Sequence, residues 1–177
     1  MSQWHAAFIV SMAAAVPADA QTIPAIGLVP GEAVIVRIDD GGRAGAPERG
    51  RAEWSRFDVY AAQHLSRLPV PDAPVPEGTP ITAPETLSPD PIPESEVRFR
   101  LMTIAGRHAL LVVENGQRRA LAYRARMTVN GRTRHTDVCV VLPGLPSYEH
   151  WPHTIERIEL TEFRFIPWVP GRPPTCE

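Results

Sequence analysis

Residues 97–142, VRFRLMTIAGRHALLVVENGQRRALAYRARMTVNGRTRHTDVCVVL, leave the chain few folds to choose from. Four short runs rich in Val, Leu, Ile, Tyr and Thr are separated by Ala105-Gly106, Asn115-Gly116 and Asn130-Gly131. Asn-Gly between alternating apolar residues is a strong hairpin signal, because both central residues of a type I′ turn need φ > 0. The stretch therefore predicts an antiparallel meander at the centre of the fold.

The Asn130-Gly131 hairpin sets a register. With Val129 opposite Arg132, Ala125 faces Thr136, Tyr123 faces Val138 and Leu121 faces Val140. Leu121, Tyr123, Val138, Val140 and Leu142 then share one face, the expected core face. The other face carries Ala122 opposite Cys139, Arg124 opposite Asp137 and Arg126 opposite His135. An opposed Arg–Asp pair stabilises a sheet by roughly 0.2–1 kcal/mol, so this register satisfies hydrophobicity and charge together.

The chain has 177 residues, enough for one domain with a sizeable core. Residues 1–20 read as a signal peptide: the apolar run AAFIVSMAAAV, then Pro17 and the small residues Ala18-Asp19-Ala20 before Gln21. The segment before that run lacks the usual Lys or Arg. The apolar run is too short to span a bilayer, so no transmembrane span is expected after cleavage. The expected domain is 21–177, periplasmic or secreted.

In such a compartment the two cysteines, Cys139 and Cys176, are expected to form a disulfide. Cys139 lies on the face away from the core, so its partner must approach from outside the sheet. The Pro-rich tail suits that role.

Upstream, residues 33–38 (AVIVRI) predict a strand ending in Asp39-Asp40-Gly41-Gly42. Residues 51–68 place Trp54, Phe57, Ala61, Leu65 and Leu68 at spacings of three and four, which predicts an amphipathic helix. Residues 69–96 then carry nine prolines, six acids and no Arg. They read as an extended, polyproline-like strap inside the one domain. Residues 154–168 form a last β candidate, whose apolar phase changes at Thr161-Glu162 and predicts a bulge.

The expected fold is mainly β: an antiparallel sandwich or partly open barrel, immunoglobulin-like in shape, with one short helix and the strap. That likeness is architectural and implies no functional residues.

Chemistry is sparse. No Ser lies in a nucleophile elbow and no glycines have phosphate-loop spacing, so no catalytic residue is assigned and no cofactor is expected. His135, Glu149, His150 and His153 are the candidate metal ligands. Pro152 rules out the regular helix of an H-E-x-x-H site, however, and residues 149–153 read as a loop that plugs one end of the fold. Residues 98–134 hold nine Arg and the single acid Glu114. Arg118, Arg119, Arg124 and Arg126 are the anion-binding candidates. Solvated face residues and pairing with the acidic strap are the other uses of that charge.

The mature chain has a net charge of −1, since removal of residues 1–20 takes away one acid, and nucleic acid is not an expected partner. An anionic envelope component or another envelope protein is. The expected role is an exported bacterial envelope module that binds or builds. The alternative is a small periplasmic hydrolase or metal-dependent enzyme using the His/Glu cluster.

Overall fold

A computed structural model describes residues 23–68, 70, 88–171 and 173–176. The expected signal segment, residues 1–20, and most of the strap, residues 69 and 71–87, lie outside the described residues. The elements are β1 (Ile26–Leu28), β2 (Glu32–Arg37), β3 (Glu48–Arg51), α1 (Arg56–Ser66), β4 (Glu96–Ile104), β5 (His108–Asn115), β6 (Ala120–Val129), β7 (Arg132–Thr136), β8 (Leu145–Trp151) and β9 (Arg157–Ile166). They form two antiparallel sheets of order β1-β9-β6-β7 and β3-β2-β4-β5-β8, a sandwich and not a closed barrel. No helix among the described residues is long and apolar enough to cross a membrane.

Between the sheets, Val34, Val97, Phe99, Leu101, Leu111 and Val113 pack on Ile26, Leu28, Leu121, Met127, Ile158 and Leu160. Phe163 reaches Phe99 at 5.4 Å between ring centroids and Tyr123 at 6.0 Å. Each fully buried side chain of this size contributes about 1.5–3 kcal/mol. The five-stranded sheet has a second apolar face. Met102, Ile104, Leu110 and Val112 are covered there by Val59 and Ala62 of α1 and by Val70. The run Ala109–Val113 of β5 is thus buried on both faces, which is why it does not alternate.

Two of the three turn signals make hairpins. Ala105 and Gly106 have φ of 50° and 64°, and Asn130 and Gly131 have 51° and 69°. The second hairpin keeps the expected register from Val129↔Arg132 to Ala125↔Thr136. Beyond Thr136 the chain gains one residue, and Leu121 bridges Val141 instead of Val140. Val138 and Val141 are consequently buried, whereas Val140 and Leu142 are half-exposed. The cause is the C-terminal tail: Cys139 bridges Cys176, and Val140 N–H donates to Thr175 O at 2.9 Å. The expected Arg124–Asp137 pair is lost with the register, and Arg124 meets Glu162 at 3.3 Å.

Asn115-Gly116 is not a hairpin, so the meander is not one sheet. After β5 the chain crosses from the five-stranded to the four-stranded layer. Asn115 is fully buried and organises the crossing. Its Nδ2 donates to Arg119 O (2.8 Å) and Val141 O (3.2 Å), and its Oδ1 accepts from Gln117 N–H (3.1 Å). Gly116 N–H donates to Glu96 O at 2.9 Å. A Cβ on Gly116 would lie 2.0 Å from Pro93 O, so the glycine serves close approach and not a left-handed turn.

The helix is present but turned. Ser55 caps it, accepting from Asp58 N–H while Asp58 accepts from Ser55 N–H, a capping box. This starts α1 after Trp54 and buries Asp58, Val59, Ala62 and Ser66; Leu65 of the expected face is 41% exposed. Residues 145–151, partly expected as a plugging loop, are instead edge strand β8. Pro146 is tolerated because an edge strand has one unpaired side. The bulge in β9 is where the apolar phase put it: the register against β6 shifts between Ala122 and Arg124, and Glu162 has φ 54°.

Candidate functional site

The outward side chains of β4 divide its face into two halves. Met102 and Ile104 are apolar and lie under α1. Arg98 and Arg100 lie on the other half, beside the N-terminus of the helix, and there a polar network forms. Arg100 donates to both oxygens of Asp58, Nη1 to Oδ2 at 2.6 Å and Nη2 to Oδ1 at 3.2 Å. Tyr148 O–H donates to Asp58 Oδ1 at 3.0 Å, and Ser55 N–H to Oδ2 at 2.8 Å. One carboxylate, 1% exposed, therefore caps α1 and ties it to β4 and β8. On its other side Arg100 meets Glu114 at 3.2 Å and donates to Glu53 O at 2.6 Å.

The electrostatics follow from burial. Burial works against the charge of Arg100, and Asp58 with Glu114 outweigh it, leaving the guanidinium more basic than usual. Burial raises the Glu114 carboxyl above its ordinary value against the pull of Arg100. Tyr148 is raised far above the ordinary phenol range by burial and by Asp58. Its O–H stays a donor at any physiological pH.

Two open hollows flank the segment linking β3 to α1. One, of about 310 Å³, is lined by Ala33, Ile35, Arg51, Trp54, Asp90, Arg98, Arg100 and Glu114. The other, of about 650 Å³, is lined by Pro30, Gly31, Arg51, Glu53, Trp54, Met102 and Thr103. Trp54, half-buried, belongs to both. The walls carry both signs of charge and one large aromatic ring. Compared with protein-family models, curated proteins and solved structures, the chain matches none of them.

The residues singled out from sequence are dispersed. Cys139 and Cys176 are joined in a disulfide. Arg118 pairs with Glu94 at 3.0 Å in the crossover, and Arg119 lies over the Phe165 ring at 5.4 Å. Arg124 and Arg126 stand on β6, Arg126 opposite Glu159 on one side and His135 on the other. Arg98 and Arg100 of the same basic run sit in the opposite sheet, because the crossover after Asn115 divides the run. Where the strap is described, two of its three acids pair with Arg: Glu94 with Arg118, and Glu96 with Arg98 at 2.8 Å.

The four candidate metal ligands are not brought together. His135 is exposed on β7. Glu149 and His150 are consecutive on β8 and point to opposite faces. Glu149 accepts from Cys139 N–H at 2.7 Å, and burial raises its carboxyl. His150 meets His108 of β5 at 2.9 Å on the other face. His153 follows the strand, its Nε2 buried without a hydrogen bond. Among the described residues no three His, Cys, Asp or Glu side chains gather as a metal site. Sequence pattern does not single out Trp54, Asp58, Arg100, Glu114 and Tyr148 as a group. Ser55-x-x-Asp58 as a capping box is the one local signal that points to it.

Proposed function

We propose that the chain is an exported module of the bacterial envelope that binds a glycan in the Trp54 cleft and does not turn it over. Trp54 carries the reading. It stands between two hollows whose walls offer carboxylates and guanidinium groups in nearly equal number. An indole face accepts the apolar face of a sugar ring, and planar side chains of both signs match hydroxyls that donate and accept. Rigidity supports it further, since Arg100 is held by Asp58 and Glu114 before any ligand arrives. The disulfide suits an oxidising compartment.

Glu114, with its raised carboxyl in the cleft wall, is what favours the hydrolase alternative. Against that, its carboxylate is engaged by Arg100.

The test is calorimetric titration of residues 21–177 with soluble fragments of envelope polysaccharides, peptidoglycan fragments first. Binding should be saturable and weakened at least tenfold by Trp54→Ala, with the fragments recovered intact. Binding indifferent to Trp54→Ala, absence of binding, or cleavage of a fragment would each overturn the reading.

A further inference from the structure

One pair of side chains takes no part in the cleft. His108 at the start of β5 and His150 of edge strand β8 lie on the outer face of the five-stranded sheet, with Nδ1 of one 2.9 Å from Nε2 of the other. Their ring centroids are 5.1 Å apart and the planes are inclined by 43°. Both residues are half-buried, so solvent reaches them.

We propose that His108 and His150 form a two-histidine site for a divalent transition-metal ion, with Cu²⁺ as its best occupant. The distance allows it. Two metal–nitrogen bonds of about 2.0 Å at a right angle put the nitrogens about 2.8–2.9 Å apart, whereas a tetrahedral site needs about 3.3 Å. The separation allows two adjacent ligands of a square-planar ion. With centroids 5.1 Å apart each nitrogen now points at the other, as in an N–H···N hydrogen bond, and both rings turn to share an ion. In the metal-free protein the nitrogens share a proton. Binding moves that proton to the far nitrogen of its own ring, so both imidazoles stay neutral, and pivots the rings so that both lone pairs meet at the ion. Water supplies the remaining ligands.

Three further features favour capture. The paired strands hold the two backbones in register, so only side-chain torsions turn on binding. Both side chains are half-buried, which leaves the ion open to the water that completes its coordination. Two imidazoles without a thiolate follow the usual order of divalent ions, in which Cu²⁺ exceeds both Ni²⁺ and Zn²⁺. The inference is independent of the glycan reading.

The experiment titrates CuSO₄ into tag-free residues 21–177 with the disulfide intact, followed by calorimetry and by electron paramagnetic resonance at pH 7.4. One equivalent should bind with micromolar affinity and give a tetragonal spectrum with splitting from two nitrogens. Ni²⁺ and Zn²⁺ should bind at least tenfold more weakly. His108→Gln and His150→Gln should each cost at least tenfold, and His64→Gln should cost nothing. Lowering the pH to 5 should release the ion. Should the Gln variants misfold, the wild-type spectrum decides: oxygen-only coordination, or more than one equivalent with equal affinity, overturns the proposal. Folded variants that bind as wild type do the same.

Discussion

Gly116→Ala puts the crossover between the two sheets to the test. The added Cβ would stand 2.0 Å from Pro93 O and 2.8 Å from Glu96 O, both backbone atoms. No rotamer change relieves such a contact, so the crossover must move away from the start of β4. Overpacking of this kind costs about 1–3 kcal/mol. The same movement lengthens the Gly116 N–H bond to Glu96 O, worth about 1 kcal/mol. The expected loss is about 2–4 kcal/mol, or roughly 4–16 °C in melting temperature for a domain of this size. Gly131→Ala is the control. Its Cβ meets nothing within 4 Å, and the cost is the strain of φ 69°, about 1 kcal/mol. Urea denaturation of both variants, with unchanged slope, gives the comparison directly. Equal midpoints, or Gly131→Ala as the worse of the two, would refute the reasoning.

Four other outcomes are expected. Asp58→Ala removes half of the capping box of α1 and one of the two carboxylates that balance Arg100, and should cost about 3–5 kcal/mol by denaturation, as a broken buried ion pair usually does. Cys176→Ser opens a link between residues 37 apart, and should cost up to about 4 kcal/mol in the same assay under oxidising conditions. Tyr123→Ala empties a core position that is 5% exposed, and should cost about 3–5 kcal/mol. Glu149→Gln reports on pH. Burial lifts the folded carboxyl above its ordinary 4.5, so the folded state holds the proton more tightly than the unfolded chain. Stability then falls as pH rises from the ordinary value through the folded one. In thermal melts the Glu149→Gln substitution should raise the midpoint at pH 7 and leave it unchanged near pH 4.

The sequence disclosed those parts of the fold that one turn or one strand decides. Asn130-Gly131 required its hairpin whatever surrounded it, and the register held as far as β7 runs, to Thr136. It failed where a distant segment intervened: the tail draws Cys139 and Val140 away from β6. Asn115-Gly116 carries the same dipeptide with the opposite meaning. Burial of the Asn and close approach at the Gly depend on residues 93 and 96, which local pattern does not reveal. The cleft was illegible for a similar reason. Asp58, Arg100, Glu114 and Tyr148 come from four elements, and their spacing in the chain has no period.

The pairing of β1 with β9 sets a schedule for the molecule. Ile26 lies opposite Leu160 and Leu28 opposite Ile158. Strand β1 therefore waits for β9 before its backbone can pair. At about 5–20 residues per second, that wait is on the order of ten seconds. Throughout it the four-stranded sheet is incomplete and the sandwich lacks one wall. Closure from so distant in sequence also makes for slow folding once the chain is whole. Cys176 arrives later still, so the disulfide can form only after β9 has been made. A domain built to this timetable stays open until its most distant pairing can form.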